Sequence, residues 1–177
     1  KELQLSEKEY YDLIAEQLHV FAGSANSFGV KMHHVKPHGA LYNMAARDKN
    51  LAAVIAKAVH DFDASLIVYG LSGSYLISEA KALALKTAGE VFADRTYTDA
   101  GQLTSRNLPG ALIEDENISV QQVMQMAKQR TVYSLNKKII PITADTICIH
   151  GDGAHAAVFA KKINEALKEN NIAIKTI

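Results

Sequence analysis

Three segments of this chain crowd together side chains that can move protons or hold negative charge. Lys36-Pro37-His38-Gly39-Ala40-Leu41-Tyr42-Asn43 offers a cation, an imidazole, a phenol and an amide in what reads as a single turn. Asp94-Arg95-Thr96-Tyr97 sets a carboxylate beside a guanidinium, and His150-Gly151-Asp152 sets an imidazole beside a carboxylate. Lys, His, Asp and Arg converging in one place would suit acid–base chemistry and the binding of an anion or oxyanion. Each segment also has a plainer account. Lys36 can be a solvated lysine, although Pro37 restricts the backbone beside it. Asp94 and Arg95 can be a surface ion pair of little energetic weight. Asp152 can simply cap the next helix. A fourth segment, Gly70-Leu71-Ser72-Gly73-Ser74, either cradles an anion at a helix N-terminus or only turns the chain. His33, His34, His60 and His155 lack metal-type spacing to a carboxylate or cysteine and read as structural or surface residues. No G-x-x-x-x-G-K-[ST] segment occurs, so any nucleotide phosphate needs another site or another subunit.

These residues need elements to carry them. Ser6 and Glu9 have capping-box spacing, and Ile14, Leu18 and Phe21 recur at helical intervals, so a helix is expected from Ser6 to about Ala25, punctuated by Gly29. Val30 to Val35 reads as a strand, and Leu51, Val54, Ile55 and Ala58 as the apolar face of the following helix. The unit repeats. Ser65 to Tyr69 is a continuous apolar and aromatic run, with an alanine-rich helix from Tyr75 to Thr87 after it. Glu90 to Ala93 is the third strand, and the polar stretch from Asp94 to Asp115 is too long for a plain connector. Ser119 and Gln122 suggest a second capping box before a helix bearing Val120, Val123, Met124 and Ala127. Asp145 to Ile149, then a helix from Ala154 to Glu169, then Ile172 to Ile177 as a fifth strand, complete the reading. Such alternation indicates a parallel α/β sheet or an incomplete α/β barrel in a single domain, residues 1–177. In such folds ligands gather at the carboxyl ends of strands, so Lys36, His38, Asp94, Arg95, His150 and Asp152 are expected to line one concavity, with Gly70 to Ser74 on its rim.

Composition narrows the functional classes. Nineteen basic residues balance nineteen acidic ones in 177 residues, without the excess that phosphate-backbone binding requires, so a nucleic-acid partner is not expected. No apolar run is long enough to span a bilayer and the first residues do not resemble a signal peptide. The single cysteine, Cys148, lies in an apolar run and reads as a buried thiol, which suits a cytoplasmic protein.

Four stretches, VKPHGALYN (Val35 to Asn43), VYGLSGS (Val68 to Ser74), EVFADRTYTDAGQLTSRNLPGALIEDE (Glu90 to Glu116) and ICIHGDGAHAAVFAKKI (Ile147 to Ile163), resemble the LamB/YcsF family, in family order and over nearly the whole chain. Gly153 and Ala154 stand where many members carry a proline-containing turn. The family is associated with the A subunit of 5-oxoprolinase, so the resemblance implies ATP-dependent opening of the lactam 5-oxoproline to glutamate, with ATP and Mg²⁺ as cofactors and B and C subunits as partners. It implies a distorted (β/α) barrel of the glycoside hydrolase/deacetylase type. Members open with an acidic D-L-N-x-D-x-G-E strand followed by segments resembling H-A-G-D and H-P-G-Y-P-D, none of which occurs here. The resemblance therefore covers the C-terminal two-thirds of a member, and the expectation is an incomplete barrel lacking the N-terminal strands, inactive in isolation and open to homo-oligomerisation. Within that frame Lys36 and Arg95 are expected to stabilise an anion or oxyanion, and His38 and Asp94 to act as acid and base. Tyr42, Asn43, Arg106, His150 and Asp152 would contact substrate, and Gly70, Ser72, Gly73 and Ser74 would form the anion-binding loop. The metal requirement stays open. The alternatives are a metal-dependent deacetylase or amidohydrolase acting alone, suggested by His38 and His150, and a non-catalytic small-molecule-binding assembly subunit.

Overall fold

The structure, a computed structural model, describes residues 4–151 and 156–177. Its contacts cluster into two compact units, Lys1–Gly89 and Glu90–Ile177.

The first unit opens with α1 (Glu7–Ser27). Ser6 caps it in the expected way: its hydroxyl accepts from the Glu9 amide, and the Glu9 carboxylate accepts from the Ser6 amide at 2.7 Å. Ile14 and Leu18 face the core, whereas Phe21 is 63% exposed. The expected strand from Val30 shrinks to β1 (His34–Val35), because the Val30 amide is spent on the Ala25 carbonyl at the end of α1. A helix not expected from the sequence follows. α2 (Ala40–Arg47) takes in Tyr42 and Asn43, so the segment read as one turn is half helix. α3 (Lys49–Phe62), capped by Asp48, buries Leu51, Ile55 and Val59. β2 (Ile67–Leu71) pairs parallel with β1, His34 opposite Ile67. Both of its faces are buried in the pattern of a strand covered by helices. α4 (Tyr75–Ala82) stops five residues before the expected Thr87. Ala84 adopts φ 59° and the Leu85 amide reaches back to the Ala80 carbonyl, so the chain reverses into a strand through a left-handed residue that is not glycine. Side chains from α1, α3, α4 and β2, among them Leu18, Ile55, Val59, Val68 and Leu76, form one apolar core.

β3 (Lys86–Phe92) carries the chain across the division between units. In the second unit its end pairs parallel with β6 (Thr146–Cys148), with Glu90 opposite Thr146 and Phe92 opposite Cys148. Cys148 is half-buried. α5 (Glu116–Gln129) starts three residues before the expected Ser119 cap. Asp115 is the cap, accepting from the amides of Asn117 and Ile118, and Ser119 is a fully buried residue inside the helix. β4 (Thr131–Tyr133) and β5 (Ile139–Pro141) form an antiparallel hairpin that the sequence reading did not anticipate. α6 (Ala156–Glu169) buries Phe159, Ile163 and Leu167, packs against α5, and pairs its Lys162 with Glu116. The stretch from Ile172 to Ile177 is not a strand: Ile174 and Ile177 are exposed and no ladder bond engages them among the described residues.

Candidate functional site

Parallel pairing of β3 with β6 dictates the central feature of the second unit. Phe92 lies opposite Cys148, so the residues two further along, Asp94 and His150, leave their strands side by side. The Ala93 amide donates to the Cys148 carbonyl at 3.0 Å and extends the ladder to that point. The His150 amide then donates to Asp94 Oδ2 at 2.9 Å, and His150 Nδ1 lies 2.8 Å from Oδ2 and 3.0 Å from Oδ1. A carboxylate can only accept, so Nδ1 carries the hydrogen, and in the neutral ring Nε2 is left with its lone pair. Phe92 stacks on the imidazole at a centroid distance of 5.5 Å. The pair is partly shielded, with side-chain exposures of 26% for His150 and 15% for Asp94. Asp152 lies outside the described residues.

Asp94 is held from behind. Ser119 Oγ donates to the Ala93 carbonyl, and the Gln122 side-chain amide donates to the carbonyls of both Phe92 and Arg95, all at 2.9 Å. The Ile113 amide donates to the Asp94 carbonyl at 3.0 Å. Thus α5 and the far end of the 94–115 loop both clamp the backbone on either side of the carboxylate. Sequence reasoning singles out Ser119 and Gln122 but assigns them to a cap. The overlooked signal is their spacing with Val123 and Met126, which places two polar side chains on the buried side of an amphipathic helix.

Arg95 is 4% exposed and turned into the loop, where Nε donates to the Ala111 carbonyl and Nη2 to the Thr104 carbonyl. Burial, reinforced by nearby Arg106, holds its pKa below the ordinary guanidinium value. Arg106 itself is exposed on the same loop. Tyr97 is fully buried and its hydroxyl accepts from the Phe92 amide at 2.8 Å; burial pushes the phenol pKa well above its usual value. Glu90, 4% exposed, is a buried carboxylate two residues before Phe92 that the sequence reading passed over.

In the first unit, Lys36 follows β1 and is half-buried, its ammonium 5.5 Å from the centre of the Tyr42 ring. His38 is exposed, and Asn43 reaches back to the Gly39 carbonyl at 3.5 Å. Gly39, at φ 62°, begins α2 without any side-chain cap, in a conformation that glycine adopts most readily. Lys36, Pro37 and His38 border an apolar cleft of about 620 Å³ walled by Leu13 and Phe21 of α1 and Met44 of α2. His34 stacks on Tyr69 at 4.3 Å. The Gly70 to Ser74 segment is largely explained without a ligand. A Cβ at Gly70 would come within 3.2 Å of the Leu76 side chain, so α4 packs closely there and a larger residue would make Leu76 shift. Ser74 is buried as the cap of α4. Among the described residues no group of three or more His, Cys, Asp and Glu side chains is arranged to hold a metal ion, and no helix is long and apolar enough to cross a membrane.

The LamB/YcsF family profile matches residues 1–177. The chain belongs to the LamB/YcsF family. It is 51% identical over all its 177 residues to a protein of Tolumonas auensis named as the A subunit of 5-oxoprolinase, covering 70% of that protein. It is 49% identical to the protein of the same name from Staphylococcus aureus strain MRSA252, covering 71% of it. The crystal structure of a lactam utilization protein from Thermus thermophilus superposes over the whole chain with a TM-score of 0.88 at 33% identity, the match taking in 70% of that protein. The LamB/YcsF chain thus shares with that protein an α/β fold built on parallel strands, and the Asp94–His150 pair falls within its two longest recognisable stretches.

Proposed function

We propose that this LamB/YcsF chain is the A subunit of an ATP-dependent 5-oxoprolinase, a hydrolase that opens the lactam of 5-oxoproline to glutamate. The observation that carries the reading is the half-identity, over every residue of the chain, to relatives named for that activity. The subunit letter in those names supports partner subunits, here taken as B and C, in a cytoplasmic complex. A distorted (β/α) barrel is the architecture we propose for the two parallel pairs.

The chemistry of each segment suits the task. A five-membered lactam is a stable amide, and opening it needs charge stabilisation at the carbonyl oxygen and a group that moves a proton. Lys36, at a strand end with its ammonium over the Tyr42 ring, is the anion or oxyanion stabiliser, with exposed His38 and Asn43 as further contacts of the same segment. The hydrogen-bonded Asp94–His150 dyad supplies the group that moves a proton. Arg95 acts through the loop it ties together, and Arg106, exposed on the same loop, is the proposed substrate contact. Asp152 is a proposed substrate contact on its chemistry alone. ATP, with Mg²⁺, is the co-substrate of the assembled complex.

The test is glutamate release from 5-oxoproline by the protein assembled with its partner subunits, with and without ATP and with and without a chelator of transition metals. Release that needs ATP and survives chelation is expected. Release without ATP that chelation abolishes would replace this reading with that of a metal-dependent amidohydrolase. Binding of 5-oxoproline without any release would replace it with a non-catalytic binding subunit.

A further inference from the structure

The geometry points to a division of labour at the paired strand ends: His150 is the catalytic residue that transfers the proton, through Nε2, while Asp94 is a positioning residue held by Ser119 and Gln122. This inference rests on the lactam-opening reading and adds to it the identity of the moving atom. Three observations carry it. Both Asp94 oxygens and the His150 amide and Nδ1 form one closed set of contacts between 2.8 and 3.0 Å, which fixes the tautomer and the ring plane together. Phe92 covers one side of the ring. Finally, the backbone flanking Asp94 is clamped at Phe92, Ala93 and Arg95 by two side chains of α5, more anchoring than a solvated ion pair would receive.

ATP is the co-reactant the proposed activity supplies: transfer of its terminal phosphoryl group to the lactam oxygen leaves ADP and an activated ring carbon. Nε2 takes a proton from water as the water oxygen bonds to that carbon. The ring C–N bond then breaks with its electron pair moving to nitrogen, and the imidazolium returns the proton to that nitrogen. The acyl phosphate left behind is hydrolysed by a second water to the carboxylate and phosphate. Asp94 stays ionised throughout and stabilises the imidazolium between the two transfers. The charged and titratable groups that interact with Asp94 besides His150 are Arg95 and Tyr97; Arg95 in turn feels Arg106, and Tyr97 feels Glu90.

Two measurements test the assignment. In the assembled complex, His150→Gln is expected to lower kcat roughly 100-fold or more with little change in KM, and to abolish the acid limb of the kcat/KM pH profile. Asp94→Asn is expected to lower kcat and reshape that limb, whereas a merely structural role would reduce the amount of folded protein and leave the limb in place. A His150→Gln complex within about threefold of wild type, or one that keeps the acid limb, overturns the assignment. The second measurement needs no activity. In nitrogen-15 histidine spectra of the protein, with His150→Gln used to identify the signal, the neutral His150 ring should carry its hydrogen on Nδ1 and lose that preference in Asp94→Asn. A ring protonated on Nε2 overturns the proposal even if the complex is active. A correct tautomer in a complex that releases no glutamate overturns the lactam-opening reading instead.

Discussion

Replacing Gln122 with leucine removes one side-chain amide that donates to two backbone carbonyls, those of Phe92 and Arg95, each at 2.9 Å. Leucine keeps nearly the same length and suits a helix, so the substitution isolates the hydrogen bonds. A typical intramolecular bond contributes about 0.5–1.5 kcal/mol net, and orphaned buried acceptors cost more, so a loss of about 2 kcal/mol is expected. For a chain of this size that corresponds to a fall in Tm of about 4–8 °C. Gln121→Leu is the control: the neighbouring position is exposed and should change stability by no more than about 0.5 kcal/mol. Because Gln122 grips the backbone on both sides of Asp94, the variant should also lose turnover at temperatures where it is fully folded. Thermal melts give the first quantity and glutamate release by the assembled complex gives the second. Ser119→Ala supplies a further check, since its hydroxyl holds the intervening Ala93 carbonyl and the two losses should be non-additive by about 0.5 kcal/mol or more. If Gln122→Leu melts with Gln121→Leu and turns over at the wild-type rate, the clamp has no role.

Other expectations follow from single contacts. Lys36→Ala should lower turnover roughly 100-fold or more with circular dichroism unchanged, and Lys36→Arg should rescue it only in part, because a planar guanidinium does not reproduce a compact ammonium. Near-wild-type release by Lys36→Ala would remove Lys36 from the mechanism. Tyr97→Phe leaves the Phe92 amide without its acceptor in a fully buried position and should cost about 1–3 kcal/mol in denaturant melts. Since burial raises the Tyr97 pKa, the unfolded chain releases this proton first, so stability should fall as pH rises above about 10, and Tyr97→Phe should flatten that part of the pH–stability curve. Ser6→Ala should cost about 1 kcal/mol. The Glu9 pKa is lowered by its bonds to Ser6, so that contribution is present above the ordinary carboxylate range and lost as pH falls through the lowered value; the variant should show a weaker acid dependence in melts.

Several elements were legible because one local signal governed them. The Ser6 and Glu9 pair announces α1, and Asp94 and His150 are each expected at a strand end because each follows a short apolar run, whereas their pairing with one another depends on a strand register that the sequence does not show. Other elements hid their cause. Gly39 starts α2 through its backbone angle, with no side-chain cap to read. Ala84 ends α4 in a left-handed conformation that a strong helix former does not advertise. Ser119 and Gln122 mimic a capping box because Ser and Gln serve both as caps and as buried donors, and only the tertiary position of Ala93 distinguishes the two uses. Ile172 to Ile177 carries the composition of a strand, but composition cannot supply a neighbour to pair with. Arg95 looked like an anion ligand beside Asp94, and the carbonyls that occupy it come from Thr104 and Ala111, nine and sixteen residues away.

The central claim is that this LamB/YcsF chain serves an ATP-driven opening of a lactam, and the most direct measurement counts ADP and glutamate in the same samples as 5-oxoproline is consumed by the assembled complex. The account predicts that the two products accumulate in equal amounts, that neither forms when ATP or 5-oxoproline is omitted, and that His150→Gln slows both together. Glutamate formed without ATP, or ADP formed at the same rate with and without 5-oxoproline, would contradict it.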